Sequence, residues 1–228
     1  MQPFLFDEGE NKLEIGVDEA GRGPMFGRVY AAAVLLPRGI DYACIKDSKR
    51  FTSARRLGEA AAYVQDNALA WAVAFEDEKT IDDTDILAAT QRAMHRAIND
   101  VRRECIHKEH KERVAVIVDG SYFKPLITYN KATDTFDTVE TYTLTKGDNL
   151  LSSIAAASIL AKWHRDAYIA SMCTAHPALD SIYGLASNKG YGGKRHMDAI
   201  REHGVSPWHR MTFGLCATVG KQCPAFDW

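Results

Sequence analysis

Four acidic residues stand where an apolar run gives way to a turn. Asp18 and Glu19 follow Ile15-Gly16-Val17, Asp119 follows Val114–Val118 and precedes Gly120, and Asp148 lies in Lys146-Gly147-Asp148. Taken singly, Asp119 and Asp148 read as ordinary turn residues. Taken together, Asp18, Glu19 and Asp119 close predicted strands, at the carboxyl ends where open α/β sheets collect ligands, and Asp148 lies in a glycine turn. Carboxylates gathered without a cation repel one another and raise each other's pKa, so their convergence implies divalent metal. All-oxygen ligands select Mg2+ or Mn2+ over zinc. Two such ions, about 3.5–4 Å apart, activate a water and stabilise the leaving oxygen of an in-line phosphodiester displacement. Directly after the first two acids comes Gly21-Arg22-Gly23-Pro24. Its glycines let backbone N–H groups approach a ligand closely, and its basic side chain suits a phosphate or a sugar hydroxyl.

Other constellations carry less. Cys105-Ile106-His107-Lys108-Glu109-His110 has zinc-binding residue types but no second ligand cluster, and reads as the solvated end of a helix. Around Gly193-Lys194, Asn188 and Arg195 stand where a phosphate loop needs Gly and Ser or Thr. No Gly-x-Ser-x-Gly elbow is present for a serine hydrolase.

The acids need elements to hold them. Leu13, Ile15 and Val17 alternate with Glu14, Gly16 and Asp18, the period of a strand. Val29–Leu36, closed by Pro37, reads as a second strand paired with the first through the Gly23–Gly27 turn. Thr52 or Ser53 can cap a helix to about Asn67, and Leu69–Phe75 reads as a strand. Ile86, Ala89, Ala93, Ala97 and Val101 predict a long amphipathic helix behind the cap-like Asp82-Asp83-Thr84-Asp85. Val114–Val118 and Val139–Leu144 read as strands, residues 120–138 as turn-rich chain, and Ser152–Met172 as a helix on composition. This order predicts an α/β fold, a mixed sheet with helices on its faces. Residues 1–176 are expected to form the core and 177–228, rich in Gly, Pro, His and basic side chains, a smaller appendage.

A chain of 228 residues that is 46% hydrophobic can bury a full core. Its formal net charge of -2 announces no nucleic-acid binder, so any such contact must come from local basic clusters. Five cysteines, an odd number without Cys-x-x-Cys, suit reduced thiols in a cytoplasm. The N-terminus lacks a basic start, and no run approaches the roughly 20 apolar residues of a membrane span. A soluble cytoplasmic protein is expected.

Several motifs stand far apart in the chain: Gly16-Val17-Asp18-Glu19-Ala20-Gly21-Arg22-Gly23-Pro24, Asp47-Ser48-Lys49, Lys146-Gly147-Asp148 with Ala155–Lys162, Asn188-Lys189-Gly190-Tyr191-Gly192, and His209-Arg210-Met211-Thr212-Phe213. Together they resemble ribonuclease HII, the bacterial type 2 ribonuclease H. The related ribonuclease HIII carries an extra N-terminal domain and usually threonine within its glycine turn; here Arg22 holds that place and 17 residues precede Asp18. The resemblance implies a ribonuclease H-like mixed five-stranded sheet with a small C-terminal helical appendage. It implies that Asp18, Glu19, Asp119 and Asp148 bind two Mn2+ or Mg2+ ions and are catalytic. Gly21, Arg22 and Gly23 would surround a ribose 2′-OH, the group that separates RNA from DNA. Tyr191 would pack on the following sugar, and Lys49, Lys146 and Lys189 would contact phosphates. The implied substrates are RNA/DNA hybrids and duplex DNA bearing single ribonucleotides. A monomer is expected, with a sliding-clamp partner left open. The chain departs from the family's usual residues at Arg28, Tyr30, Asp85 and Thr212, none an expected metal ligand.

Overall fold

A strand whose alternate residues are apolar must cover that face with a core. In the computed structural model, which describes residues 1–6, 12–45, 48, 51, 53–107, 113–130 and 133–220, the first such strand is β1, Lys12–Ala20. It sits within a mixed five-stranded sheet with β2 (Val29–Leu35), β3 (Ala70–Glu76), β4 (Arg113–Asp119) and β7 (Thr141–Leu144), in the order β3-β2-β1-β4-β7. β1 and β4 pair in parallel, Gly16 opposite Ile117 and Val17 opposite Val118. β4 and β7 are also parallel.

The chain forms two compact units, each built from separate segments. The first comprises Met1–Ala20, Ala31–Ala74 and Gln91–Trp163. Here the two-residue period of the strands divides the core. Ile15 and Val17 join Ala31, Ala33, Leu35, Val116 and Val118 beneath Ala93, Ala97, Ile98 and Val101 of α3 (Ile86–His107). Ala32, Val34 and Leu36 face the other way, against Leu57, Ala60, Ala61 and Val64 of α1 (Ala54–Asn67) and the alanine-rich start of α4 (Ser152–Ala175). α1 begins where its cap was expected, with the Ser53 hydroxyl accepting the Arg56 amide at 3.3 Å. At the head of α3 the Asp85 carboxylate accepts the Ala88 amide at 2.7 Å. α4 is buried all round from Ser152 to Ala161, so composition rather than periodicity marks it in the sequence. Its first turn lies against β1 at Gly16, where a β-carbon would stand 2.2 Å from the Ser153 carbonyl carbon.

Part of the turn-rich 120–138 stretch is ordered as β5 (Ile127–Asn130) and β6 (Thr135–Thr138), an antiparallel ribbon. β6 is exposed throughout, so no buried face imprints an alternating pattern. The strand expected at Val139–Leu144 begins only at Thr141, because the Val139 amide turns to the Leu126 carbonyl at 2.9 Å.

The second unit comprises Gly21–Tyr30, Phe75–Thr90 and His164–Trp228. It contains the short helices α2 (Glu78–Asp83), α5 (Ala178–Tyr183), α6 (Leu185–Asn188) and α8 (Gly214–Val219), and the longer α7 (Lys194–His203). Main-chain bonds stitch the glycine turn to the C-terminal segment: Met25 N to Gly190 O at 2.9 Å, Gly27 N to Trp208 O at 2.8 Å and Arg210 N to Met25 O at 2.8 Å. Asp82 of α2 accepts from the amides of Met211 and Thr212 and from the Thr212 hydroxyl, so the hydroxyl and not the extra methyl is used at position 212. The Arg28 guanidinium lies 4.0 Å from the Phe75 ring centroid and 4.6 Å from that of Tyr168. No described helix is long and apolar enough to cross a membrane.

Gly16→Ala is expected to destabilise the fold by about 3 kcal/mol, the upper range for overpacking, because its new methyl meets helix backbone that cannot rotate aside. A denaturant midpoint equal to that of the unsubstituted protein would contradict the close packing of α4 on β1.

Candidate active site

Parity and register bring the acids together. Asp18 shares a strand face with Gly16, and Asp119 shares one with Ile117, which packs on Leu151 and Ile154 beside α4. One further step along the parallel register sets Asp18 beside Asp119 on neighbouring strands. Asp148 arrives from a single 3-10 turn, Gly147–Asn149, entered through Lys146 in the left-handed conformation. That turn is tied to β4 by the Gly147 amide, which donates to Asp119 Oδ1 at 2.7 Å. A β-carbon on Gly147 would stand 2.5 Å from the terminal methyl of Ile154, which would have to shift to admit it. Each of Asp18, Asp119 and Asp148 offers an oxygen, and these three atoms lie within 4.8 Å of one another. Asp18 and Asp148 are buried, and Asp119 is partly exposed.

Burial, followed by the negative charge of Glu19, lifts the Asp18 carboxyl well above its ordinary pKa, and Asp119 adds to the effect. A hydrogen bond from Ser158 and the Glu19 amide oppose the shift. Ser158 in turn lies 2.9 Å from the Ser48 hydroxyl, both buried. Asn149 Nδ2 donates to Asp148 Oδ1 at 2.9 Å. Glu19 is the next residue along β1 and lies outside the three-carboxylate group. A largely buried cluster of hard oxygen donors, one of them raised in pKa by burial and then by like charge, fits a divalent cation.

The glycine turn and Tyr191 come together in the second unit. Gly21 is buried at φ 94°, and a β-carbon there would lie 2.2 Å from Arg165 Nε, while Arg22 and Gly23 are exposed. One edge of the half-exposed Tyr191 ring is 3.5 Å from where a Gly23 β-carbon would stand. Lys189 adopts a left-handed conformation, and its carbonyl accepts from Arg165 Nη2 at 2.9 Å. Behind Tyr191, its carbonyl is 2.9 Å from His196 Nδ1, His196 Nε2 is 2.9 Å from His209 Nε2, and His209 Nδ1 accepts the Ser206 amide at 2.9 Å. The end partners fix both tautomers: the amide makes His209 Nδ1 an acceptor, and the carbonyl makes His196 Nδ1 a donor. Each ring therefore carries one proton, with His209 Nε2–H donating to His196. Burial, then the neighbouring His196, pushes His209 down to about 3, and burial lowers His196 as well.

Lys146 is exposed beside Asp148 in the chain. Asp47, Lys49, Lys108–His110 and the aromatic tail from Lys221 lie outside the described residues. Ser158 and Arg210 entered the sequence reading only as letters within motifs. The available signal was general: a hydroxyl in an all-buried helix, or an arginine in a core segment, must find a polar partner.

The family model for ribonuclease HII matches residues 15–216, a span that holds the acidic cluster, the glycine turn and Tyr191. The chain belongs to the ribonuclease HII family. A ribonuclease HII of Phocaeicola vulgatus is 41% identical over 218 residues, covering 96% of each chain. The crystal structure of ribonuclease H2 from Pyrococcus horikoshii OT3 superposes with a TM-score of 0.66 at 21% identity, over 91% of this chain and 96% of that one. Bst-RNase HIII in complex with Mn2+ gives 0.66 at 18% identity, over 93% of this chain and 70% of that one. These two establish the ribonuclease H-like fold. As a ribonuclease HII family member the protein is a metal-dependent endoribonuclease of RNA/DNA hybrids.

A raised folded-state pKa means that Asp18 contributes stability in acid and loses it as pH rises through that pKa, so at neutral pH it is a cost to the metal-free protein. Asp18→Asn should therefore raise the melting temperature of metal-free protein at pH 7. Mn2+ at 100 times its Kd should stabilise the unsubstituted protein by about 2.7 kcal/mol. In the variant that gain should shrink, and calorimetry with and without EDTA measures both effects.

Proposed function

We propose that this protein hydrolyses the RNA strand of RNA/DNA hybrids and also incises duplex DNA on the 5′ side of a single embedded ribonucleotide, leaving 3′-OH and 5′-phosphate ends. The observation that carries the reading is the meeting of Asp18, Asp119 and Asp148 within 4.8 Å. With Glu19 they would hold two divalent ions, Mn2+ or Mg2+. The chemistry such a pair supplies is activation of water and stabilisation of the departing oxygen.

The remaining roles belong to the chain's own groups. Ser158 orients the Asp18 carboxylate through its hydrogen bond. The backbone groups of Gly21, Arg22 and Gly23, exposed at Arg22 and Gly23, meet the ribose 2′-OH, the hydroxyl a deoxynucleotide lacks. The Tyr191 ring, pressed on the next sugar, leaves room for a deoxyribose there and so favours a ribonucleotide followed by DNA. Lys49, Lys146 and Lys189 bind phosphates. Neither the 2′-OH nor a histidine acts as nucleophile or base; the buried His196–His209 pair holds Tyr191 instead of reacting.

Incubated with Mn2+ or Mg2+, the protein should cleave both an RNA/DNA hybrid and a DNA duplex with one ribonucleotide, and EDTA should abolish both activities. Asp18→Asn and Asp148→Asn should each lose several orders of magnitude in rate while circular dichroism stays native. Products ending in a 2′,3′-cyclic phosphate would refute water as the nucleophile. Binding of the hybrid without turnover would mark a non-catalytic hybrid-binding protein.

A further inference from the structure

Arg210, with no exposed surface, is the largest fully buried side chain among the described residues. Its hydrogen bonds run to main-chain carbonyls of one segment. Nε donates to Gly27 O at 2.8 Å, Nη1 to Arg22 O at 3.0 Å and Pro24 O at 2.8 Å, and Nη2 to Gly21 O at 2.6 Å. The guanidinium also lies 5.0 Å from the Phe213 ring centroid. Burying a charge is costly, and apolar side chains of similar volume often stabilise a core better. A packing role alone therefore accounts poorly for an arginine here.

The peptide plane converts these bonds into an orientation. The carbonyl of one residue and the N–H of the next point in opposite directions across a trans peptide, and no described peptide is cis. Fixing the Gly21 and Arg22 carbonyls on Arg210 turns the Arg22 and Gly23 N–H groups away from it, at the two exposed residues of the turn. The same logic is visible one step on: with the Pro24 carbonyl fixed, the Met25 N–H donates outward to Gly190 O at 2.9 Å. A cation held against the carbonyls also polarises the peptides and strengthens their N–H groups as donors. Lysine could supply the charge but not the planar fork that reaches four carbonyls.

We propose that Arg210 is a positioning residue for sugar discrimination, holding the Gly21-Arg22-Gly23 turn so that its Arg22 and Gly23 amides meet a ribose 2′-hydroxyl as aligned, polarised donors. This rests on the ribose-recognition reading of the turn given above.

The test compares unsubstituted protein with Arg210→Lys and Arg210→Gln in metal-free buffer, using two DNA duplexes that differ only in one ribonucleotide. The unsubstituted protein should prefer the ribonucleotide duplex, and folded variants should lose about tenfold of that preference, the worth of one or two well-aligned hydrogen bonds. Their affinity for the all-DNA duplex should hold, as a general loss of structure would not allow. Folded variants that discriminate as well as the unsubstituted protein would overturn this inference alone. An unsubstituted protein with no preference would overturn the ribose reading and this inference with it. If neither variant folds, nitrogen-15 spectra of the unsubstituted protein decide. Arg210 guanidinium resonances should move on adding the ribonucleotide duplex and stay in place with all-DNA duplex, and equal response to both would refute the role.

Discussion

Mutual repulsion among carboxylates is the constraint around which the first unit is organised. Three acidic oxygens within 4.8 Å would separate if their backbones were free to move. They are held by a parallel strand pair, by the Gly147 amide on Asp119, and by a helix pressed onto β1 where Gly16 has no side chain. The alanines of α4 serve the same end, since small side chains let the helix lie near the sheet and carry Ser158 to Asp18. Stability spent on crowding like charges becomes affinity for a hard cation, because the apo site is strained in the coordinate that metal relieves.

The second unit solves a different problem, which is to give an exposed turn one conformation. Glycines at 21 and 23 permit close approach but add freedom that must be removed. Two arginines remove it from beneath. Arg165 donates to the carbonyls of Phe26, Arg28 and Lys189, and Arg210 to those of Gly21, Arg22, Pro24 and Gly27. Tyr191 is then fixed beside Gly23 by a turn whose own carbonyl is held by the paired histidines.

Much of this was legible in the sequence, for reasons that differ by element. β2 and β4 are continuous apolar runs and β1 alternates clearly, so the strands are strongly marked and the acids that end β1 and β4 stand out. Ser53 and Asp85 announced helix starts through chemistry local to a few residues. The β5–β6 ribbon has too little buried surface to leave a pattern, and α2 is a short helix inside an acidic stretch that reads as a cap. Arg210 was the least visible, since its partners are backbone carbonyls almost two hundred residues away and any sequence would supply those atoms. Arg28 was ambiguous because two flanking rings, from Phe75 and Tyr168, are brought to it only by the fold.

The histidine pair gives acid a divided effect on the molecule. Burial, then the neighbouring His196, disfavours an added proton on His209, and burial disfavours one on His196, so acidity below the ordinary histidine range destabilises the unit that holds the pair. For Asp18 the sign is reversed, because protonation removes a charge that burial, and then Glu19, disfavours. Titration toward low pH therefore loosens the unit that carries Tyr191 while it relaxes the unit that carries the aspartates, and the width of neutral pH over which both are sound is bounded by these opposed demands.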